Sequence, residues 1–269
     1  MLTLFKKIYA YVKYILICVK QNICSSVSNK TSFAFQTLMM ALNNCTWLII
    51  WLVLFNKNDG NINGIVLKDI LYLWSIPTIS YGLSYFCFGG TEYLAQNIAQ
   101  GNLDLYLTQP KYSLIGLITS RCKLSAMGDV VYGLVIGLFA TNFVILDYLF
   151  LLLISIIATI TITSIVILVY LTAFWFGDTT NLGTTYINSL LINLTIYPEK
   201  VYGSFVKFLI YTIVPAFYCA HLPIKVCTQF SIPTLLFFIG ITIFLATTAV
   251  LVYNIGLKRY ESGNGFNLK

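Results

Sequence analysis

Residues 149–175, "LFLLLISIIATITITSIVILVYLTAFW", run for 27 positions without a charged side chain. A helix needs roughly 20 mostly apolar residues to cross a bilayer core, and this stretch exceeds that. On either side of it, five further segments pass the same test: about 33–55, 68–90, 126–146, 203–220 and 233–256. The sequence therefore predicts an all-α integral membrane protein with six transmembrane helices. Composition agrees, since 58% of the 269 residues are hydrophobic and only 9% are charged, against roughly 25% charged in soluble proteins.

The pieces between the spans are too short to bury a core of their own. In the first, residues 1–32, Lys6, Lys13 and Lys20 recur every seven positions and share one helical face. That pattern predicts an interfacial amphipathic helix; as a seventh span it would bury Lys13 at a cost of about 2.5–3.5 kcal/mol. Lys13 and Lys20 also interrupt the apolar core that a cleaved signal peptide requires, so the arm is read as retained.

The net charge is +7, but the sixteen Lys and Arg are scattered singly around apolar runs, which argues against a nucleic-acid surface. Instead they set orientation. With the N-terminus inside, thirteen fall on cytoplasmic pieces, Lys200 and Lys207 among them, and only Lys57, Lys68 and Lys225 fall outside. Both termini, including a tail over 257–269, are then cytoplasmic.

Two external connections read as tight: "NKNDGNING" (56–64) as a turn, and "LDYL" (146–149) as the link between spans three and four. The third, 215–233, is broken by Pro215, Pro223 and Pro233 yet stays apolar. It predicts a re-entrant segment whose broken helices dip into the bilayer under the shelter of protein.

Few residues suit chemistry. The chain has no P-loop, and its seven cysteines form no C-x-x-C pair, although Cys219 and Cys227 could meet outside the membrane. His221 is the single histidine, a poor basis for a triad or a metal site. "FWFGD" (174–178) reads as a helix ending at Gly177, with Asp178 as the N-cap of the next element. Gly133 and Gly137 form a G-x-x-x-G pair suited to close helix approach. Asn43, Asn44, Thr159, Thr161 and Thr163 either line a polar path or bond between helices, and, apart from Asp69 at the very edge of span two, Asp129 is the one acid within a span.

The 91–112 stretch is different. Glu92 sits where span two emerges, Gly101 ends a helix, and Asp104 lies among Leu103, Leu105 and Leu107 before Pro110 stops the element. This predicts a short amphipathic helix along the membrane surface, tied closely to span two.

Residues 91–121, "TEYLAQNIAQGNLDLYLTQPKYSLIGLITSR", resemble the pattern of ABC (ATP-binding cassette) type-2 permeases, in which a Glu at the end of span two precedes a G-x-L-[DE]-x-x-L-x-x-P run. Glu92, Gly101, Leu103, Asp104, Leu107 and Pro110 occupy those positions. The small stand-alone permeases found with antibiotic export systems are similar further along. They share a "YP" (Tyr197, Pro198), a proline-rich stretch like "VPAFYCAHLP" (214–223), and a "GLKRYES" tail that carries Arg259, Tyr260, Glu261 and Ser262.

The resemblance implies a membrane subunit of an exporter in the bacterial cytoplasmic membrane, moving a drug, lipid or lipid-linked glycan. It also implies two copies of a separate cytosolic ATPase, which bind the ATP and Mg; this chain has no cofactor. A second permease chain, identical or related, completes the unit, and the 91–112 element acts as a coupling helix against the ATPase. The alternative, a self-sufficient secondary transporter or channel, requires inverted repeats and several ionisable residues at mid-membrane. A lipid-modifying enzyme requires a cluster of His, Asp or Glu at one depth.

Overall fold

Away from water, a backbone must satisfy its own hydrogen bonds, and the apolar runs accordingly fold as helices. The computed structural model describes residues 2–26, 30–58, 61–62 and 64–260. Two long helices open the chain, α1 (Leu2–Ser26) and α2 (Lys30–Lys57). A two-residue antiparallel pair, β1 (Asn61–Ile62) with β2 (Ile65–Val66), turns the chain into α3 (Leu67–Phe88).

A 3₁₀ turn (Gly89–Tyr93) and three short helices come next: α4 (Leu94–Ala99), α5 (Asp104–Leu107) and α6 (Ser113–Ile118). Beyond them lie α7 (Ala126–Ala140), α8 (Ile145–Leu171) and α9 (Ala173–Phe176). Residues 180–196 form one rod from α10 (Thr180–Thr185), π-helical turns (Tyr186–Ile192) and α11 (Asn193–Ile196). After a 3₁₀ turn (Glu199–Val201), α12 (Ser204–Thr212) leads through a π-helical turn (Phe217–His221) to α13 (Leu222–Thr228) and then α14 (Ile232–Leu257).

The chain is thus a helical membrane protein. Thr31–Lys57, Ile145–Phe176 and Ile232–Leu257 are each long and apolar enough to cross a bilayer unaided. The centre of the molecule is α3, packed along α7 and against α8, with α14 on the far side of α8 and α2 against α7. Small residues allow the close approach: a Cβ on Gly133 would stand 2.7 Å from the Ile79 side chain of α3, and one on Gly137 would stand 3.3 Å from Tyr148 of α8. The G-x-x-x-G pair is therefore an intrachain packing device.

The threonines of α8 bond within the protein. Thr163 Oγ1 pairs with Ser84 Oγ of α3 at 2.8 Å, Thr161 Oγ1 pairs with Thr242 Oγ1 of α14 at 2.8 Å, and Thr159 Oγ1 donates to the Ser155 carbonyl of its own helix. Of the two readings of these residues, interhelical bonding holds for Thr161 and Thr163.

The structure corrects three expectations. The link between the third and fourth expected spans is Thr141–Val144, not "LDYL": α7 stops at Ala140, and Asn142 and Phe143 adopt positive φ (50° and 61°) to reverse the chain. Asp147 then falls in the first turn of α8, where a carboxylate suits the positive end of the helix dipole.

Second, 203–220 is not a continuous span. Proline has no N–H to continue a helix and disfavours helical geometry in the residue before it, and α12 ends at Thr212, ahead of Pro215. Ser204–Thr212 and Phe217–Thr228 meet at an angle of 81°.

Third, 177–202 is not a plain connection, because most of it is the 180–196 rod. At its far end Lys200 Nζ donates to the Gly64 carbonyl at 2.6 Å. Lys200 therefore lies at the same end of the bundle as the 56–64 turn, whereas the charge pattern alone places the two on opposite sides.

Candidate functional site

One end of the bundle carries residues 89–122. The helix end expected at Gly101 is present: Gly101 has φ 72°, and the N–H groups of Gly101 and Asn102 donate to the Ile98 and Asn97 carbonyls, closing α4 with a Schellman-type cap. The single amphipathic helix expected over 91–112 is instead the end of a 3₁₀ turn followed by two short helices, α4 and α5, separated at Gly101, with α6 starting only after Pro110.

This segment, with Lys123 at its end, is bonded to α1, α3 and the α14 end of the chain. At the end of α3, Glu92 Oε1 accepts from Lys123 Nζ at 2.7 Å, and the Lys123 backbone N–H donates to the Tyr85 carbonyl at 3.2 Å. From α14, the Tyr253 hydroxyl pairs with Ser113 Oγ at 2.8 Å, and Asn254 Oδ1 accepts from the Tyr112 hydroxyl at 2.9 Å. Tyr260, just beyond α14, accepts the Leu103 N–H at 3.1 Å. From α1, Asn22 Nδ2 donates to the Thr119 carbonyl at 2.9 Å, and the Tyr14 ring lies 3.5 Å from the Lys111 ammonium.

The apolar residues of the run divide. Leu103 is fully buried, so it anchors the segment, whereas Leu105 is 70% exposed and Leu107 and Pro110 are also exposed. Asp104 opens α5. The outward apolar group is therefore Leu105 with Leu107, and Leu105 was not among the residues singled out by the family pattern.

Between α2, α3, α7 and the 180–196 rod lies a cavity of about 250 Å³. Its walls are aromatic and polar: Trp47 and Trp74 stack with centroids 6.4 Å apart, and Tyr81, Asn43 and Asn188 also face it. Asn44 Nδ2 donates to Asp129 Oδ1 at 2.5 Å within the wall. The Glu92–Lys123 pair also lines the cavity, so residues 89–122 and the cavity share a boundary. Asn44 thus bonds between α2 and α7, and both it and Asn43 also line the cavity. Trp47, Trp74, Lys123 and Asn188 escaped sequence reasoning because only the fold brings four distant helices together.

At the opposite end, the bent 204–228 hairpin docks on the 180–196 rod. His221 is buried with Nε2 3.2 Å from the Leu194 carbonyl, and Tyr202 meets its ring edge-on at 6.3 Å. Glu199 accepts from Lys225 Nζ at 2.7 Å and from the Tyr211 hydroxyl at 2.5 Å. Burial alone would raise the Glu199 carboxyl, but these hydrogen bonds and the nearby positive groups outweigh it and hold the carboxyl below its usual range. Pro215 sits in the bend, and Pro223 takes the second position of α13, where the missing N–H costs nothing.

The remaining expected residues are spread over the molecule. Lys6, Lys13 and Lys20 are exposed on α1. The Arg259 guanidinium lies 5.9 Å from the Trp175 ring centroid. Glu261 and Ser262 lie outside the described residues. Gly177 ends α9 with φ 76°, and Asp178 Oδ1 accepts the Thr180 N–H at 3.0 Å from one residue ahead of Thr179, the N-cap of α10, so "FWFGD" is a helix end and the cap falls one residue later than expected. Cys219 and Cys227 are free thiols. Among the described residues, no group of three or more His, Cys, Asp or Glu could hold a metal ion.

A bundle of apolar helices that encloses a cavity, with a bonded polar segment at one end of it, is the architecture of a multi-pass membrane protein. The model of the ABC-2 family transporter protein matches residues 41–264, so the chain belongs to that family and is a membrane permease component of an ABC transporter. No curated protein and no solved structure matches the chain significantly.

Proposed function

We propose that this chain is the membrane-spanning subunit of an exporter for a hydrophobic or amphipathic substrate, driven by two copies of a separate cytosolic ATPase that supply ATP and Mg. A second permease chain pairs with it in the bacterial cytoplasmic membrane. The observation that carries the reading is the bonding of residues 89–123 to α1, α3 and α14 while their Glu92–Lys123 pair also borders the cavity. A displacement applied to that segment reaches several helices and the cavity at once.

In this reading six segments cross the bilayer: α2, α3, α7, α8, the 180–196 rod and α14. The 204–228 hairpin enters and leaves from the outer side, which the Lys200–Gly64 and Lys225–Glu199 contacts support. Lys200 and Lys207 then move outside, and the positive residues divide eleven inside to five outside, which still favours cytoplasmic termini.

Closure of the ATPases pushes on α5, and the push tilts α2, α3 and the 180–196 rod so that the cavity opens alternately to the two sides. The chain needs only two packings of similar free energy, between which the partner's work selects. The test is to change Asp104 and Leu107 to bulky or oppositely charged residues. Loss of substrate-stimulated ATP hydrolysis in an assembled complex is the expected result, and normal stimulation overturns the coupling role.

A further inference from the structure

We infer that α1 is a binding surface for anionic phospholipid headgroups, and that the lipid it holds steadies the coupling segment. Three observations meet on this helix. Lys6, Lys13 and Lys20 are all exposed, and seven-residue steps drift only about 20° each around a helix, so the three ammonium groups form a single row. Beside that row, at 100° per residue, lie Tyr9, Val12 and Leu16, which are 69%, 49% and 64% exposed. Tyr14, on the other side of the row from Val12 and Leu16, and Asn22, directly opposite the row, are the two residues that contact Lys111 and Thr119.

This arrangement has one consistent placement. The docked face stays on the protein, the apolar flank enters the acyl boundary, and the lysine row lies at headgroup depth, where long stems let ammonium groups reach phosphate oxygens. A row of like charges with no acid in the whole helix is complementary to an anionic leaflet. Lipid bound there restrains α1, and through Tyr14–Lys111 and Asn22–Thr119 it restrains residues 111–119 of the segment that the proposed ATPase moves.

The coupling part of this inference rests on the reading above, but lipid binding does not, and lipid binding is what the experiment measures. The full-length chain, purified in detergent, is offered phosphatidylglycerol or phosphatidylcholine with matched acyl chains, and retained lipid is counted by native mass spectrometry. Wild type should retain phosphatidylglycerol about fivefold or more over phosphatidylcholine, since each basic side chain near an anionic surface contributes roughly one such factor. Lys6→Gln, Lys13→Gln and Lys20→Gln together should reduce that preference to about twofold or less, and the corresponding three Lys→Arg changes should keep it. Lys13→Glu alone, at an exposed site in the middle of the row, should lower the preference about fivefold or more if the triple variant is poorly produced. Equal retention of the two lipids by wild type, or an unchanged preference in the Gln or Glu variants, overturns the inference.

Discussion

The hydroxyl of Tyr260 accepts the backbone N–H of Leu103 at 3.1 Å, joining the end of the last helix to the start of α5. Leu103 is fully buried, so without this acceptor its N–H loses its partner away from water. Tyr260→Phe should therefore destabilise the chain by about 1–2 kcal/mol, seen as a lower thermal midpoint in detergent. If residues 89–123 transmit the ATPase's movement as proposed, the same change should also weaken substrate stimulation of ATP hydrolysis, because α5 loses its tie to the end of α14 while the Tyr253–Ser113 and Asn254–Tyr112 bonds remain. A midpoint identical to wild type would show that water replaces the hydroxyl.

Gly90 is where the segment turns back against itself. A Cβ there would overlap the Leu117 carbonyl oxygen and stand 2.7 Å from Ser120 Oγ and 2.8 Å from the Ile118 carbonyl oxygen. Backbone cannot yield as a side-chain tip does, so Gly90→Ala should cost about 3 kcal/mol or more and sharply reduce the yield of folded protein. Gly240 in α14 is the control. Nothing lies within 4 Å of a Cβ at that position, and Gly240→Ala should be neutral to slightly stabilising.

Glu199 predicts how the outer hairpin responds to acid. Its carboxyl is held below the usual range in the folded protein, so its contribution is complete above the ordinary Glu value of about 4.3 and disappears as pH falls through the lower folded value. The part of the thermal midpoint that depends on Glu199, read as the difference between wild type and Glu199→Gln, should be flat from pH 7 to about 5 and shrink below that. Glu199→Gln should remove this part of the acid dependence. The loss at pH 7 should be modest, about 1 kcal/mol or less, because the Lys225 side chain is 43% exposed and the pair is partly screened.

What was legible in the sequence depended on whether one local pattern was enough. The long apolar runs at α2, α8 and α14 announced themselves, and so did Gly101 as a helix end, because a single glycine with φ 72° ends a helix locally. The 180–196 rod was missed because Thr180, Asn181, Thr184, Thr185, Asn188 and Asn193 dilute its hydropathy; Asn188 faces the cavity and Thr184 pairs with Tyr170. Without that rod, the apolar 203–220 stretch is the next that satisfies the length criterion for a fifth span. Glu92 was singled out for its position, but its partner Lys123 lies 31 residues away and only the fold brings the two together.

The last prediction separates anchoring from docking within one short run. Leu103 and Leu105 are two residues apart, yet one is fully buried and the other 70% exposed. Leu103→Ala should leave a cavity among Leu94, Leu114 and their neighbours and cost about 2–5 kcal/mol, a loss of stability whatever protein sits outside. Leu105→Arg should leave the thermal midpoint within about 0.5 kcal/mol of wild type, as exposed substitutions do. If α5 is the ATPase contact, Leu105→Arg should abolish co-purification of the ATPase all the same, because a charge would replace the most exposed apolar group on that helix. Co-purification unaffected by Leu105→Arg, with Leu103→Ala unstable as expected, would move the docking surface away from α5 while leaving the fold as described.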